Sequence, residues 1–313
     1  MLIFHPPARA PARCSHISQP CKVNGTEVSQ VRVFTNDSRS TFGFTGVVHG
    51  GAAGSWPELP SGAHAVISFR GSIDPINYAD NGDQVLMPYP RAPSAGMVVR
   101  GFWNAYSSQR AAMLTNLTPL VGQPDMNGVI ITGHSLGAGQ AVLAALDLAL
   151  ALPNSVPITM YTFGTPRVGD ANHAKRVRAA ANLETWVVSH RADAEPRCPN
   201  LSTDETPRPD RNYSSCHVTG TDRRRQIGTG VWYPAGLAPA GPMGYIVCDG
   251  SGEDPKCEDG VDRSVLNWND HCLYLSHSMW CCDDEDTTAK VGKGCAFPFP
   301  APPNRAIPPH AIR

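Results

Sequence analysis

Val129-Ile130-Ile131-Thr132-Gly133-His134-Ser135-Leu136-Gly137-Ala138-Gly139 is the stretch on which the reading of the fold turns. Its first four residues are all β-branched, and such a short, mostly apolar run is the text of a strand buried on both faces. From Gly137 to Ala151 the text is rich in Ala and Leu with almost no polar face, the mark of a buried helix. Between them stands Gly133-His134-Ser135-Leu136-Gly137, a G-x-S-x-G pattern that joins strand directly to helix. With 29 glycines in 313 residues the pentapeptide alone says little, and the strand–turn–helix setting is what gives it weight. Such a turn is strained and needs small residues on either side of the serine. Gly133 and Gly137 supply them, while Ala138 and Gly139 let the helix lie close to the sheet. The serine then stands at a helix N-terminus, whose dipole favours an anion nearby.

Outward from this centre the same text recurs. Ala65–Phe69, Ile158–Phe163 and Thr185–Ser189 read as further buried strands, and Thr41–Val48 as strand-like. Residues 102–116 and 171–181 read as more exposed helices. The alternation predicts an α/β fold with a mostly parallel central sheet flanked by helices. With the serine turn it predicts the α/β-hydrolase fold in a single domain. No internal repeat is visible. The expected organisation is an N-terminal extension over 1–24, irregular and rich in Pro and Cys, the domain over 25–282, and a Pro-rich tail over 283–313. Residues 198–260 read as a loop-rich elaboration of the same domain.

Composition narrows the partners. Apolar residues make up 41%, enough for a sizeable core, and 26 Lys+Arg nearly balance 27 Asp+Glu. A nucleic-acid or anionic-membrane partner would leave a basic excess, so neither is expected. The one basic cluster, Arg223-Arg224-Arg225, reads as a solvated loop. Ten cysteines, with N-x-S/T sequons at Asn24, Asn36, Asn116, Asn200 and Asn212, indicate an oxidising compartment and a secreted or extracellular protein. Met1–Phe4 is too short for the apolar region of a signal peptide and His5-Pro6-Pro7 ends it, so either the protein stays inside or its true start lies upstream. No apolar run reaches the roughly 20 residues of a membrane span, and the longest, 141–152, contains Asp147.

A serine hydroxyl needs a base and an orienting acid to act as a nucleophile. In this fold they follow in the order Ser, Asp or Glu, His. Asp170 and Asp193 both stand just past later strands, and position favours Asp193, one strand further along. Of His217, His271, His277 and His310, position favours His271, with His277 its near competitor. The oxyanion of an acyl-transfer intermediate needs two N–H donors, each worth roughly 3–4 kcal/mol. Leu136, after the nucleophile, offers one, and Ser72, in the loop Phe69-Arg70-Gly71-Ser72, offers an N–H and a hydroxyl. Histidines and cysteines lack zinc-like spacing and there is no C-x-x-C pair, so no metal or organic cofactor is expected.

These residues resemble the class 3, fungal-type lipase family, which includes triacylglycerol lipases and feruloyl esterases. Ile67–Ser72 is similar to its oxyanion strand and loop, Asn77-Tyr78 to the Asn-Trp of its lid, and Val99–Tyr106 to its Val-His-x-Gly-Phe block. Gly133–Ala141 matches its nucleophile block and Phe163–Gly169 its Phe-Gly-x-Pro-Arg-Val-Gly. Ser189–Arg197 resembles the block of its catalytic Asp, which favours Asp193. Asp270–Leu275 resembles its His-x-x-Tyr-Phe block, which favours His271. The resemblance implies a Ser135–His271–Asp193 triad, an oxyanion hole at Ser72 and Leu136, and a lid between Ile73 and Pro90 carrying Ile76 and Tyr78. Relatives staple a loop like that between Cys248 and Cys257, which implies that these two are paired. Three departures stand out: the family's N-terminal helix is missing before Cys14, Gly230 replaces the Glu of its Glu-x-Trp block, and Asn81 and Asp83 make the lid more polar. The expected function is a serine carboxylic-ester hydrolase, a monomer that cleaves acylglycerols at an oil–water interface. The alternatives are an esterase on soluble or plant-wall esters and an inactive hydrolase-fold binding protein.

Overall fold

The computed structural model describes residues 21–23, 26–50, 61–197, 224–234, 244–262, 265–275 and 277–279. The sequons at Asn24, Asn200 and Asn212, the residues Arg223, His217 and His310, the pair Cys281-Cys282 and the tail over 283–313 lie outside them, as does nearly all of the N-terminal extension. The strands are β1 (Cys21–Val23), β2 (Thr26–Asn36), β3 (Thr41–Gly50), β4 (Gly62–Phe69), β5 (Leu86–Pro88), β6 (Met97–Val99), β7 (Met126–His134), β8 (Ile158–Phe163), β9 (Gly169–Asp170), β10 (Leu183–His190), β11 (Arg224–Arg225), β12 (Thr229–Tyr233) and β13 (Ile246–Val247). The helices are α1 (Pro75–Gly82), α2 (Arg100–Val121), α3 (Leu136–Ala151) and α4 (Ala171–Arg178).

One nine-stranded sheet, in the order β1-β2-β3-β4-β7-β8-β10-β12-β13, organises the molecule. Its centre, β4-β7-β8-β10-β12, is parallel, and both flanks are antiparallel. The parallel strands are the ones with continuous apolar text, because helical crossovers cover both faces of such strands. Val66, Ile67 and Ile131 are fully or almost fully buried, and a side chain of this kind contributes about 1.5–3 kcal/mol on burial. Helix α3 packs along β7 and β8, and α2 packs against β2, β3 and α3. Their apolar residues join β4 and β7 in the main core, with Phe102, Tyr106, Met113, Leu143 and Leu146 at its heart.

Three elements depart from the sequence reading. Strand β2 pairs with β3 although its text alternates instead of running apolar, as suits an antiparallel flank strand. Residues 198–260 do more than decorate the domain: β12 pairs in parallel with β10 and extends the central sheet, with Trp232 fully buried. Arg224 is not solvated either. Strand β11 pairs with β9 in a second, four-stranded sheet, which buries the Arg224 side chain completely, and its guanidinium donates to Gln84 Oε1. The interrupted apolar run at Asp147 also has a structural answer. Its buried carboxylate accepts from Arg91 Nε at 2.8 Å, from Tyr106 at 2.6 Å and from Arg110. No helix among the described residues is long and apolar enough to cross a membrane. The two described sequon amides, Asn36 and Asn116, donate to Ser108 O and Val33 O.

Candidate active site

The tip of β7 turns sharply into α3 at Ser135, whose φ of 57° and ψ of −127° lie where only glycine is at ease. The turn survives because the residues two before and two after the serine, Gly133 and Gly137, have no side chains. A Cβ on Gly133 would run into the Gly137 carbonyl, and one on Gly137 into the carbonyl of Phe69. The loop after β4 therefore presses directly on the first turn of α3, where Gln140 Nε2 also reaches Arg70 O at 3.5 Å. Ser72 follows two residues after Arg70 in this loop. Ser135 is half-buried, and its N–H donates to Phe163 O at 3.1 Å, which ties the turn to the end of β8.

The next residue, Gly164, has φ +54°, and a Cβ there would lie 2.7 Å from His271 Cε1, 2.8 Å from His271 Nδ1 and 3.0 Å from Asp193 Oδ2. The imidazole and the carboxylate thus sit on the same corner as the serine turn. His271 Nδ1 is 2.9 and 3.0 Å from the two Asp193 oxygens, across 78 residues of sequence. Asp193 Oδ1 also accepts from Glu195 N at 2.8 Å, and Oδ2 accepts from the Tyr274 hydroxyl. His271 Nε2 is buried and has no hydrogen-bond partner among the described residues. His134, the neighbour of Ser135, stacks on the His271 ring with centroids 4.4 Å apart, and its Nε2 lies 2.8 Å from the His271 carbonyl.

A zipper joins the two segments that bring acid and base together. Asn267 N donates to Ala192 O at 2.9 Å and Ala194 N to Asn267 O at 3.3 Å, a one-residue parallel bridge at Asp193. Asp270 Oδ2 accepts from Ala192 N at 3.1 Å and from Asn267 Nδ2 at 2.8 Å. The electrostatics follow from burial. Burial opposes a charged imidazole at His271, yet the Asp193 charge and hydrogen bond, with help from Glu195, outweigh it and leave His271 above its ordinary value. Glu195 is buried beside the pair, and burial pushes its carboxyl up to about 7, against the pull of His271 and with the push of Asp193. Burial likewise raises Tyr274 well above the usual phenol range.

The positions quoted from the sequence therefore fall as follows. Asp193 and His271 meet against Gly164, Ser135 and Leu136 form the turn whose Ser135 N–H donates to the preceding Phe163 O, and Ser72 lies in the loop after β4. Asp170 caps α4 through His173 N at 2.8 Å, and His277 pairs with Tyr274 through its backbone. Glu195, Asn267, Asp270 and Asn81 were not singled out as contributors. Asn81 Nδ2 donates to Ser72 Oγ at 2.9 Å. Neither the burial of Glu195, in Ala192-Asp193-Ala194-Glu195-Pro196, nor the partners of Asn267 and Asp270 leave a mark in the sequence.

A family model described as "Lipase (class 3)" matches residues 66–203. Over this stretch, a little under half of the chain, the sequence is similar to the class 3 lipase family. A secreted mono- and diacylglycerol lipase A of Penicillium cyclopium is 32% identical over 138 residues, 44% of this chain and 43% of that protein. Phospholipase A1-IIalpha of Arabidopsis thaliana is 28% identical over 249 residues, 69% of this chain and 57% of that protein. The chain thus spans about half the length of these curated relatives. The solved triacylglyceride lipase of Rhizomucor miehei superposes with a TM-score of 0.62 at 20% identity, covering 82% of each chain, and establishes the α/β-hydrolase fold. Two features of the structure concern the departures noted above. Cys248 and Cys257 are joined by a disulfide. At Gly230, where the family has Glu, a Cβ would lie 2.7 Å from Cys248 Sγ and 3.8 Å from Glu258 Oε1, so the disulfide loop fills the vacated space and brings a carboxyl group with it.

Proposed function

We propose that the protein is a secreted serine carboxylic-ester hydrolase that cleaves acylglycerol esters. The observation that carries this reading is His271. One ring nitrogen is clamped by Asp193, and the other is buried and unpartnered on the corner that holds the strained Ser135 turn. Nδ1 keeps its proton on the Asp193 side, so Nε2 is the nitrogen left to take the proton of Ser135 as its oxygen attacks the ester carbonyl. The contact between Ser135 and Nε2 tightens when substrate seats, as is common for such pairs. Asp193 holds the tautomer and stabilises the imidazolium. The N–H groups of Leu136 and Ser72, with the Ser72 hydroxyl oriented by Asn81, receive the oxyanion. The alcohol leaves with the proton from His271, and water activated by the same nitrogen then releases the acid.

The named activities of the relatives support the acylglycerol class, and the word "secreted" in the name of one, with the disulfide, supports an extracellular site. Hydrolysis of p-nitrophenyl butyrate and of emulsified triolein, each against Ser135→Ala, tests the reading. Loss of the serine is expected to cost on the order of 10⁶ in turnover. Activity that survives in Ser135→Ala would refute it.

A further inference from the structure

Helix α1, in the segment where the family resemblance puts a lid, is packed the opposite way round from an apolar flap closed over a site. Its buried residues are Asn77 and Asp80, at 1% and 2% exposure, while Ile76 and Tyr78 are 44% and 38% exposed and Val85, just beyond the helix, is 50% exposed. Most of the buried polar face is bonded, Asp80 Oδ2 and Asn81 Oδ1 being the exceptions among the described residues. Asn77 Oδ1 accepts from Ile73 N at 3.1 Å, and its Nδ2 donates to Arg39 O at 3.2 Å and Ser40 O at 3.1 Å. Asp80 accepts from Arg39 Nη1 at 2.7 Å. Asp74 caps the helix through Ile76 N and Asn77 N and accepts from Ser40 Oγ.

The C-terminal end is tied as firmly. Arg100 grips Asp83 with two bonds of 2.8 Å, and Gly101 N donates to Asp83 O at 3.0 Å. A Cβ on Gly101 would overlap the Asp80 carbonyl, so the backbones of α1 and α2 are in direct contact. Gln84 Nε2 donates to Asn81 O at 2.5 Å, and Gln84 in turn accepts from the buried Arg224. Swinging α1 over the site would strip hydrogen bonds from two buried polar side chains and also withdraw Asn81 from Ser72 Oγ. Buried polar groups do not give up partners readily.

We propose that α1 is a fixed wall of the open site, anchored by Asn77 and Asp80, so that the enzyme hydrolyses single dissolved ester molecules at full rate without an oil–water interface. This rests on the ester-hydrolase reading above and names the physical state of its substrate. The exposed Ile76, Tyr78 and Val85 are then a permanent apolar rim for the acyl chain.

The test measures the rate on tributyrin from well below to well above its solubility limit, with Ser135→Ala alongside. Smooth saturation is expected, with a change of less than about twofold at the limit, because a state already populated gains nothing from an interface. A lid open in about one molecule in ten would give a jump of about tenfold, and such a jump overturns the proposal. Arg39→Ala and Asn77→Ala, made separately, should each lower the rate on dissolved tributyrin severalfold and introduce an interfacial jump. Variants that keep the smooth parental curve would show that these anchors do not hold the helix. Hydrogen exchange of the parent decides the anchoring without reference to activity. Amides of Tyr78–Asp83 should exchange as slowly as the early turns of α2, and exchange at the rate of a free peptide overturns the proposal. Tributyrin turnover that persists in Ser135→Ala would instead sink the hydrolase reading.

Discussion

Gly164→Ala is the sharpest test of how the corner is built. The new methyl carbon would lie 2.7 Å from His271 Cε1 and 2.8 Å from Nδ1, where ordinary contacts begin near 3.5 Å. The imidazole must therefore retreat by about 0.8 Å from the position that Asp193 now fixes. Misplacement of about 1 Å can cost 10²-fold in rate, which corresponds to roughly 2.7 kcal/mol of lost transition-state stabilisation. Substrate contacts lie elsewhere, so kcat should fall about 100-fold while KM moves by less than about threefold. Stability should fall as well, by about 1–2 kcal/mol for an alanine at φ +54° and about 1–3 kcal/mol for overpacking. The assay is initial rates on p-nitrophenyl butyrate, normalised by organophosphonate titration of Ser135, with urea melts of the same samples. A folded Gly164→Ala enzyme with kcat within threefold of the parent would refute the claim that Gly164 is the gauge for the His271–Asp193 pair.

Tyr274→Phe removes a donor from a buried carboxylate, and stability measured in urea should drop by about 1.5–3 kcal/mol. Glu195 is neutral-favoured by burial, with its carboxyl at about 7 instead of 4.5. The native state therefore binds the extra proton, and stability falls by roughly 3 kcal/mol as pH rises from about 4.5 to 7. Glu195→Gln should flatten that part of the stability curve and move the acid limb of kcat/KM to lower pH, since a charge that raises His271 is gone. His271 works in the opposite sense. Its value lies above 6.5 in the fold, so its stabilising contribution is complete below about 6.5 and is lost as pH climbs through the folded value. Ser135→Gly should raise stability by about 1 kcal/mol while abolishing turnover, because backbone strain of about 1–3 kcal/mol is relieved and only part of it is returned as chain entropy. Cys248→Ser with Cys257→Ser, opening a loop with a sequence separation of 9, should cost about 2–3 kcal/mol.

The parallel centre of the sheet was legible because the middles of β4, β7, β8 and β10 are largely buried and their text is mainly apolar or β-branched. The flanks were less so. Strand β2 must satisfy solvent on one side, and β12 is a five-residue strand, Thr-Gly-Val-Trp-Tyr, set among long irregular stretches. Arg224 misled for a general reason: three consecutive arginines look solvated, and only the pairing of β11 with β9 reveals that the middle one points inward. The site divides in the same way. Ser135 announces itself through the glycines that its strained turn requires. Asp193 and His271 could be narrowed from chain order to a choice of two residues each, but the Asn267–Asp270 zipper that sets one against the other leaves no periodic mark. Helix α1 was hidden because its buried side is polar, which inverts the pattern by which an amphipathic helix is recognised.

That zipper also governs when the enzyme can become active during its own synthesis. The strands β4, β7, β8 and β10 can pair, and the Ser135 turn can form, once the first 190 or so residues have emerged, by about the usual rule that domains assemble as the chain grows. The base arrives only with Asn267–His271 and is locked in place by the bonds from Ala192, Ala194 and Asn267. A nascent chain, or one cut between His190 and Asn267, would carry the nucleophile turn and no proton acceptor. On the proposed mechanism, ester hydrolysis therefore has to await the docking of Asn267–His271.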